Sequence, residues 1–256
     1  MPGMENRWIT GRLTAGAPRV RLICLPQAGG GAGAFSSWRA HLPEGVELAP
    51  VELPGRGTRE ADPMPARFDD LVDALYKGLL PELDVPYVLF GHSFGGTLAY
   101  ELTLRIEERG APIPLATLVS ASRAPQTPPT GTISDAPDKE LLAWLVNSDG
   151  LPRELLKYPD YVAYLLRTIR TDLAFAERYL VSDPRPVRTP LHALCGEEDQ
   201  VVTAEQVRHW KECAAGGHSF TVMPGGHSYH QTHAPQLMEF VREILPADGT
   251  PEEERP

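Results

Sequence analysis

Apolar residues fall along this chain in two alternating spacings. Short, β-rich apolar runs of strand length occupy Val20–Leu25, Val46–Val51, Pro86–Phe90, Leu115–Val119, Pro190–Cys195 and Phe220–Met223. Between them the apolar positions shift to helical spacing. Leu71, Val72, Leu75, Leu79 and Leu80 predict a helix over 68–83, Gly96–Leu102 opens another that ends near Arg109-Gly110, and 236–245 predicts a last one. Thr203-Ala204-Glu205-Gln206 is a capping box, so a further helix starts there. Trp8, Ile9 and Leu13 anchor at most one edge strand near the N-terminus. Strand and helix thus alternate as in an open, mostly parallel sheet with flanking helices.

The alternation breaks once, over 124–188. A proline-rich link (Pro125, Pro128, Pro129, Pro137) leads into helical patterns at 138–146 and 160–180. An insertion of this size between two sheet strands cannot sit in the core and is expected to cover the strand ends, where ligands bind in such sheets. It reads as a helical lid, which leaves 1–123 and 189–246 as the core domain. Residues 247–256 are acidic and proline-bearing and are expected to be disordered.

Composition narrows the function classes. The chain has 256 residues, 42% of them hydrophobic, enough for one large α/β domain. A net charge of −10 argues against nucleic acid as a partner. No apolar run approaches the length of about 18 residues that a membrane span needs, and the N-terminus lacks a signal-peptide pattern. Cys24, Cys195 and Cys213 are odd in number and scattered, which points to buried thiols and a cytoplasmic location rather than a disulfide framework. Without a Cys-x-x-Cys pair a structural zinc site is not expected, and a monomer is the default expectation.

The chemistry concentrates at Gly91-His92-Ser93-Phe94-Gly95, a G-x-S-x-G between a strand and a helix. That is the nucleophile elbow of α/β hydrolases, a turn so tight that only glycine fits on either side of the serine. A serine hydroxyl needs a base to take its proton, and the base needs a carboxylate to fix its tautomer. In this fold the chain order is serine, acid, histidine. Of eight histidines, His41 precedes the serine, His92 is its neighbour and points elsewhere, and His192 and His209 lie within a strand and a helix. His218 opens the final strand, which leaves His227, in Pro224-Gly225-Gly226-His227 just after that strand, ahead of it as the base. For the acid, Asp199 follows a strand end and precedes the capping-box helix, with Glu197 and Glu198 as competitors nearer the turn glycine. The other placement, after the preceding strand, holds Val119-Ser120-Ala121-Ser122-Arg123 and no carboxylate.

The tetrahedral intermediate of acyl transfer needs two N–H donors for its oxyanion. Phe94, after the nucleophile, supplies one. The second is expected from Ala28, with Gln27 as the near alternative, in the glycine-rich Ala28–Gly33 loop. That loop does not keep the G-x-G-x-x-G spacing of dinucleotide sites, and no cofactor is implied. His227, His230 and His233 recur every three residues, but on a helix residues six apart point about 120° away from each other, so no metal is expected.

With these segments in view, the chain resembles the type II thioesterases of polyketide and non-ribosomal peptide synthesis, a pattern shared with vertebrate medium-chain acyl thioesterases. The resemblance rests on Leu25–Gly30, Glu52-Leu53-Pro54-Gly55-Arg56-Gly57, the elbow, Gly196 with Asp199, and Gly225-Gly226-His227, and extends to Leu151-Pro152 and Arg170-Thr171-Asp172 through Tyr179 in the insertion. It departs at Gln27, where the family more often has a ring, and at Ser228, where a bulky residue is commoner. The resemblance implies a stand-alone serine hydrolase that clears stalled acyl thioesters from the phosphopantetheine arm of carrier proteins, its partners. Arg56 and the insertion positions enter by resemblance only.

Overall fold

The computed structural model describes residues 6–14 and 17–245, so the expectation for 247–256 lies outside the described residues. Strands β1 (Val20–Leu25), β2 (Val46–Pro50), β3 (Tyr87–His92), β4 (Ala116–Ser120), β5 (Leu191–Gly196) and β6 (His218–Met223) form one sheet in the order β2-β1-β3-β4-β5-β6. Each pairing is parallel. Every residue of β1 to β4 is buried, because helices cover both faces, and that is why these strands read as continuous apolar runs. The helices are α1 (Phe68–Leu79), α2 (Phe94–Arg109), α3 (Asp138–Asn147), α4 (Pro159–Arg178), α5 (Ala204–Arg208), α6 (Tyr229–Thr232) and α7 (Ala234–Ile244).

Two apolar layers sandwich the sheet. On one face Leu71 and Leu75 of α1 pack with Leu98, Leu102 and Ile106 of α2 against Ile23 and Leu89. On the other, Phe35, Trp38, Trp210, Leu237 and Met238 pack with Tyr100 of α2 against Cys24, Phe90 and Leu118. Full burial of a large apolar side chain is worth about 1.5–3 kcal/mol, so the two layers dominate the stability of the fold. Helix α2 stops at Gly110, whose φ of +66° is the left-handed cap that glycine adopts without strain. The capping box at Thr203 and Gln206 forms as the sequence indicates.

Two elements differ from the sequence reading, and a third was not read there. The helix expected over 68–83 ends at Leu79 and tightens into a 3₁₀ turn, because Pro81 cannot donate a helical hydrogen bond. The expected N-terminal edge strand is reduced to isolated antiparallel bridges, Ile9 to Val51 and Leu13 to Leu48, with Gly11 at φ +68° breaking the extended run between them. The glycine-rich loop leads into a 3₁₀ segment, Ala32–Ala40, which buries Phe35 and Trp38.

Between β4 and β5 the chain leaves the sheet to form α3 and α4. These carry a third, separate apolar cluster built on Leu141, Leu145, Val162, Leu166 and Ile169. Arg123, just past β4, clamps the start and the end of this insertion together. It donates to the carbonyl of Thr127 and to those of Ala176 (2.7 Å) and Tyr179 (2.5 Å) at the C-terminal end of α4.

The core makes one stability prediction. Trp210 is fully buried, meets Tyr100 edge-on at 5.1 Å, and donates its indole N–H to the Ser122 carbonyl at 2.7 Å. Trp210→Ala should therefore lower the unfolding free energy by about 3–5 kcal/mol, measured by urea denaturation.

Candidate active site

Ser93 sits at φ +54°, ψ −117° between β3 and α2, a conformation that non-glycine residues rarely adopt. The reason its neighbours are glycine is visible in the packing. A Cβ at Gly91 would stand 1.9 Å from the Gly95 carbonyl oxygen, and one at Gly95 would stand 2.1 Å from the Leu25 carbonyl oxygen. The elbow is tied to the sheet by the Ser93 amide, which donates to the Ser120 carbonyl at 2.7 Å. Phe94 heads α2, so its amide has no acceptor within the helix and is free to serve a ligand.

His227 lies in the loop after β6, and its Nδ1 meets both Asp199 carboxylate oxygens, at 2.9 and 3.1 Å. The Asp199 side chain is 1% exposed, and its Oδ1 also accepts the amides of Val201 (2.8 Å) and Val202 (3.1 Å). Glu197 and Glu198, the competitors for this position, point to solvent. The loops carrying Asp199 and His227 touch directly: a Cβ at Gly196 would meet the Gly226 carbonyl at 2.4 Å, and the Glu198 amide donates to the Gly225 carbonyl. Thus the structure brings Asp199 and His227 into hydrogen-bonding contact. Ser93 makes no hydrogen bond through its hydroxyl among the described residues. The His227 ring comes up beside the elbow against His92, their centres 5.3 Å apart.

The turn after β1 is closed by the Gly30 amide on the Gln27 carbonyl at 2.8 Å, with Gly29 at φ +70°. Neither Ala28 nor Gln27 spends its amide on a turn or loop carbonyl, whereas the Gly29 amide is taken by Asp172 Oδ2 at 2.8 Å. Below the turn, the Glu52 carboxylate lies close to two more glycines, its oxygens 2.3 and 2.5 Å from where a Cβ at Gly31 and at Gly57 would stand. Burial raises the Glu52 pKa against the opposing pull of nearby amides and of Arg56 and Arg59.

A cavity of about 340 Å³ opens beside Ser93, walled by Phe94, Ala121, Ile133, Trp144, Leu173 and Val202. Its far walls come from the insertion, so α3, α4 and the link before them shape the space next to the serine.

Several groups at the site went unread in the sequence. His92 is fully buried and shares a hydrogen bond of 2.8 Å between its Nδ1 and Ser120 Oγ, which in turn bonds the Tyr229 hydroxyl. His92 stacks on His230 with ring centres 3.7 Å apart, and the Trp38 indole holds the His230 carbonyl at 2.5 Å. His230 therefore turns into the core, while His233 bonds Thr232 at 3.0 Å, and the three-residue recurrence brings His227 and His230 inward for different ends. The sequence offers only Tyr229-His230 two residues past the candidate base, and nothing local in it says which way these rings turn.

A thioesterase domain model matches residues 20–245 of the chain. The chain belongs to the thioesterase family. With it the chain joins the enzymes that hydrolyse thioesters. It is 28% identical to the gramicidin S biosynthesis protein GrsT of Aneurinibacillus migulanus, covering 92% of this chain and 93% of that protein. It is 36% identical to part of the AMB antimetabolite synthetase AmbE of Pseudomonas aeruginosa, where 90% of this chain spans only 11% of that protein. Among solved structures it is similar to the type II thioesterase BorB from the borrelidin biosynthetic cluster, at 33% identity and a TM-score of 0.80, covering 94% of this chain and 97% of that one.

The thioesterase carries a pH prediction at this site. Burial first, and then the neighbouring histidine rings, push the His92 pKa well below its usual range and that of His230 down to about 3. Both rings stay neutral in the folded protein but take up protons near pH 6.5 once unfolded. Their contribution to stability is complete above about pH 6.5 and declines as the pH falls below it, by up to about 1.4 kcal/mol per pH unit for each ring, until the folded ring itself takes up a proton, at about pH 3 for His230. Urea unfolding between about pH 7.5 and about pH 5 should show this decline, and His230→Asn should flatten it.

Proposed function

We propose that Ser93, His227 and Asp199 act as nucleophile, base and orienting acid in the hydrolysis of acyl thioesters. The observation that carries the reading is the buried Asp199 carboxylate on His227 Nδ1, which leaves Nε2 as the ring nitrogen available to a serine that an adjacent elbow holds in a strained conformation. Ser93 attacks the thioester carbonyl as His227 takes its proton. The amides of Phe94 and Ala28, with Gln27 as the alternative to the latter, receive the oxyanion. His227 then protonates the leaving thiolate, and an acyl ester remains on Ser93. Water, deprotonated by the same imidazole, releases the acid and restores the enzyme.

The cavity beside Ser93 suits the acyl chain, since most of its walls are apolar. The stretch 124–188 is proposed as a lid over it, with 1–123 and 189–246 as the hydrolase core. The partners are proposed to be carrier proteins that present the acyl group on a phosphopantetheine arm. The role is that of a stand-alone editing enzyme, which removes stalled or aberrant acyl units in polyketide or non-ribosomal peptide synthesis. Relatedness to GrsT and BorB supports it. Three free, buried cysteines are in keeping with a reducing cytoplasm.

Ser93→Ala should reduce hydrolysis of an acyl-pantetheine thioester to background, with the circular dichroism spectrum unchanged. Retained turnover would refute the nucleophile. Asp199→Asn should lower kcat by about 10⁴, as loss of the correct tautomer does, while Glu198→Gln should stay near wild type. A panel of acyl-loaded carrier proteins against simple oxygen esters tests the substrate class, with faster turnover of the carrier thioesters expected.

A further inference from the structure

The turn that carries the second proposed oxyanion donor is gripped by a buried ion pair from two distant parts of the chain. Asp172 lies on the inward stripe of α4, after Val162, Leu166 and Ile169, and is fully buried. Arg56 follows the Pro54-Gly55 turn beyond β2 and is 4% exposed. Its Nη1 donates to Asp172 Oδ2 at 2.6 Å and its Nη2 to Oδ1 at 2.9 Å, a two-point pairing of planar groups. The same pair holds the turn at two places. Asp172 Oδ2 accepts the Gly29 amide at 2.8 Å, and Arg56 Nη1 donates to the Gly30 carbonyl at 3.0 Å.

Gly29, at φ +70°, has the hand required at the third residue of a type II turn. In such a turn the central peptide can flip. Capture of the Gly29 amide by Asp172 and of the Gly30 carbonyl by Arg56 pins the turn at two points, which limits how far the adjoining peptide with the amide at 28 can swing. Alpha helix α4 seals the arrangement sterically, because a Cβ at Gly29 would stand 2.2 Å from Ile169 Cγ1. Stability is a poor account of this pair, since removing two charges from water commonly offsets their attraction. Orientation is the better one.

We propose that Asp172, locked by Arg56, is a positioning residue for the oxyanion hole and couples α4 to it. The amide at 28 is aimed at the reacting carbonyl only while α4 is seated on the turn. This inference rests on the reading of Ser93 and the oxyanion amides given above.

The test compares wild type, Asp172→Asn and the double variant Arg56→Met with Asp172→Leu on an acyl-pantetheine thioester. The double variant removes both charges and so avoids stranding one of them in the core. Asp172→Asn is expected to lower kcat by about 10–100-fold, somewhat less than full loss of an oxyanion donor. KM and the pH profile of kcat/KM should stay in place, because His227 and Asp199 are untouched. The double variant should melt near the wild-type temperature yet keep a lowered kcat. Phosphonylation of Ser93 by a fluorophosphonate probe, which also builds charge on an oxygen in the hole, should slow by at least about 10-fold in Asp172→Asn. Wild-type kcat in the stable double variant would overturn the proposal, as would an unchanged phosphonylation rate in folded Asp172→Asn. Retained turnover in Ser93→Ala would instead sink the underlying assignment, whatever the Asp172 variants do.

Discussion

The end of β1 and the β3–α2 elbow approach so closely that no side chain fits between them. Gly95 stands against the Leu25 carbonyl and Gly91 against Gly95 itself, so close that a Cβ would stand 2.1 and 1.9 Å from the facing oxygens. Backbone against backbone at this distance does two things together. It forces Ser93 into its uncommon conformation, and it brings the head of α2 against the residues that lead into the Gln27–Gly30 turn. The proposed nucleophile and both proposed oxyanion donors thus belong to one rigid seam of the parallel sheet, and every other functional group is brought to that seam by a loop.

Those loops are not left to themselves. The His227 loop is followed at once by α6, whose Tyr229 and His230 sink into the core and bind Ser120, His92 and Trp38 through hydrogen bonds and ring stacking. Asp199 is fixed by two amides of its own loop as well as by the imidazole. Most buried polar groups find a partner, so each such contact favours one arrangement of the loop. On the other side of the seam the Arg56–Asp172 pair does the same for the glycine turn, and it does so from the insertion rather than from the core.

That division suits an acyl-thioester hydrolase. The reacting carbonyl needs a fixed environment, which the sheet supplies, while the acyl chain needs a space whose shape can vary between relatives. Here that space takes its outer wall from α3, α4 and the link before them. Family membership establishes the reaction class, and the proposed carrier-bound substrate follows from what this chain is similar to together with the apolar cavity beside Ser93.

The strands, the elbow, the capping box and the placing of Asp199 and His227 just past the ends of β5 and β6 were legible in the sequence because each rests on local rules. Apolar runs mark strands, glycines flanking a serine mark a tight turn, and the chain order of the partners follows from the order of the strands they leave. Helix ends were read less well, as at Leu79, where a proline decided the matter. The inward turn of His230 was not legible, since a histidine on a short helix looks the same whether it faces water or a ring from another element. Asp172 and Arg56 entered the sequence analysis by resemblance alone, and because they lie more than a hundred residues apart nothing local joined them. The sequence by itself determined the sheet, the serine and the chemistry it can support, because those depend on neighbours along the chain. Only the tertiary structure decided which buried charges and rings hold the site in place, because hydrogen bonds and close packing between distant segments exist only once the segments have met.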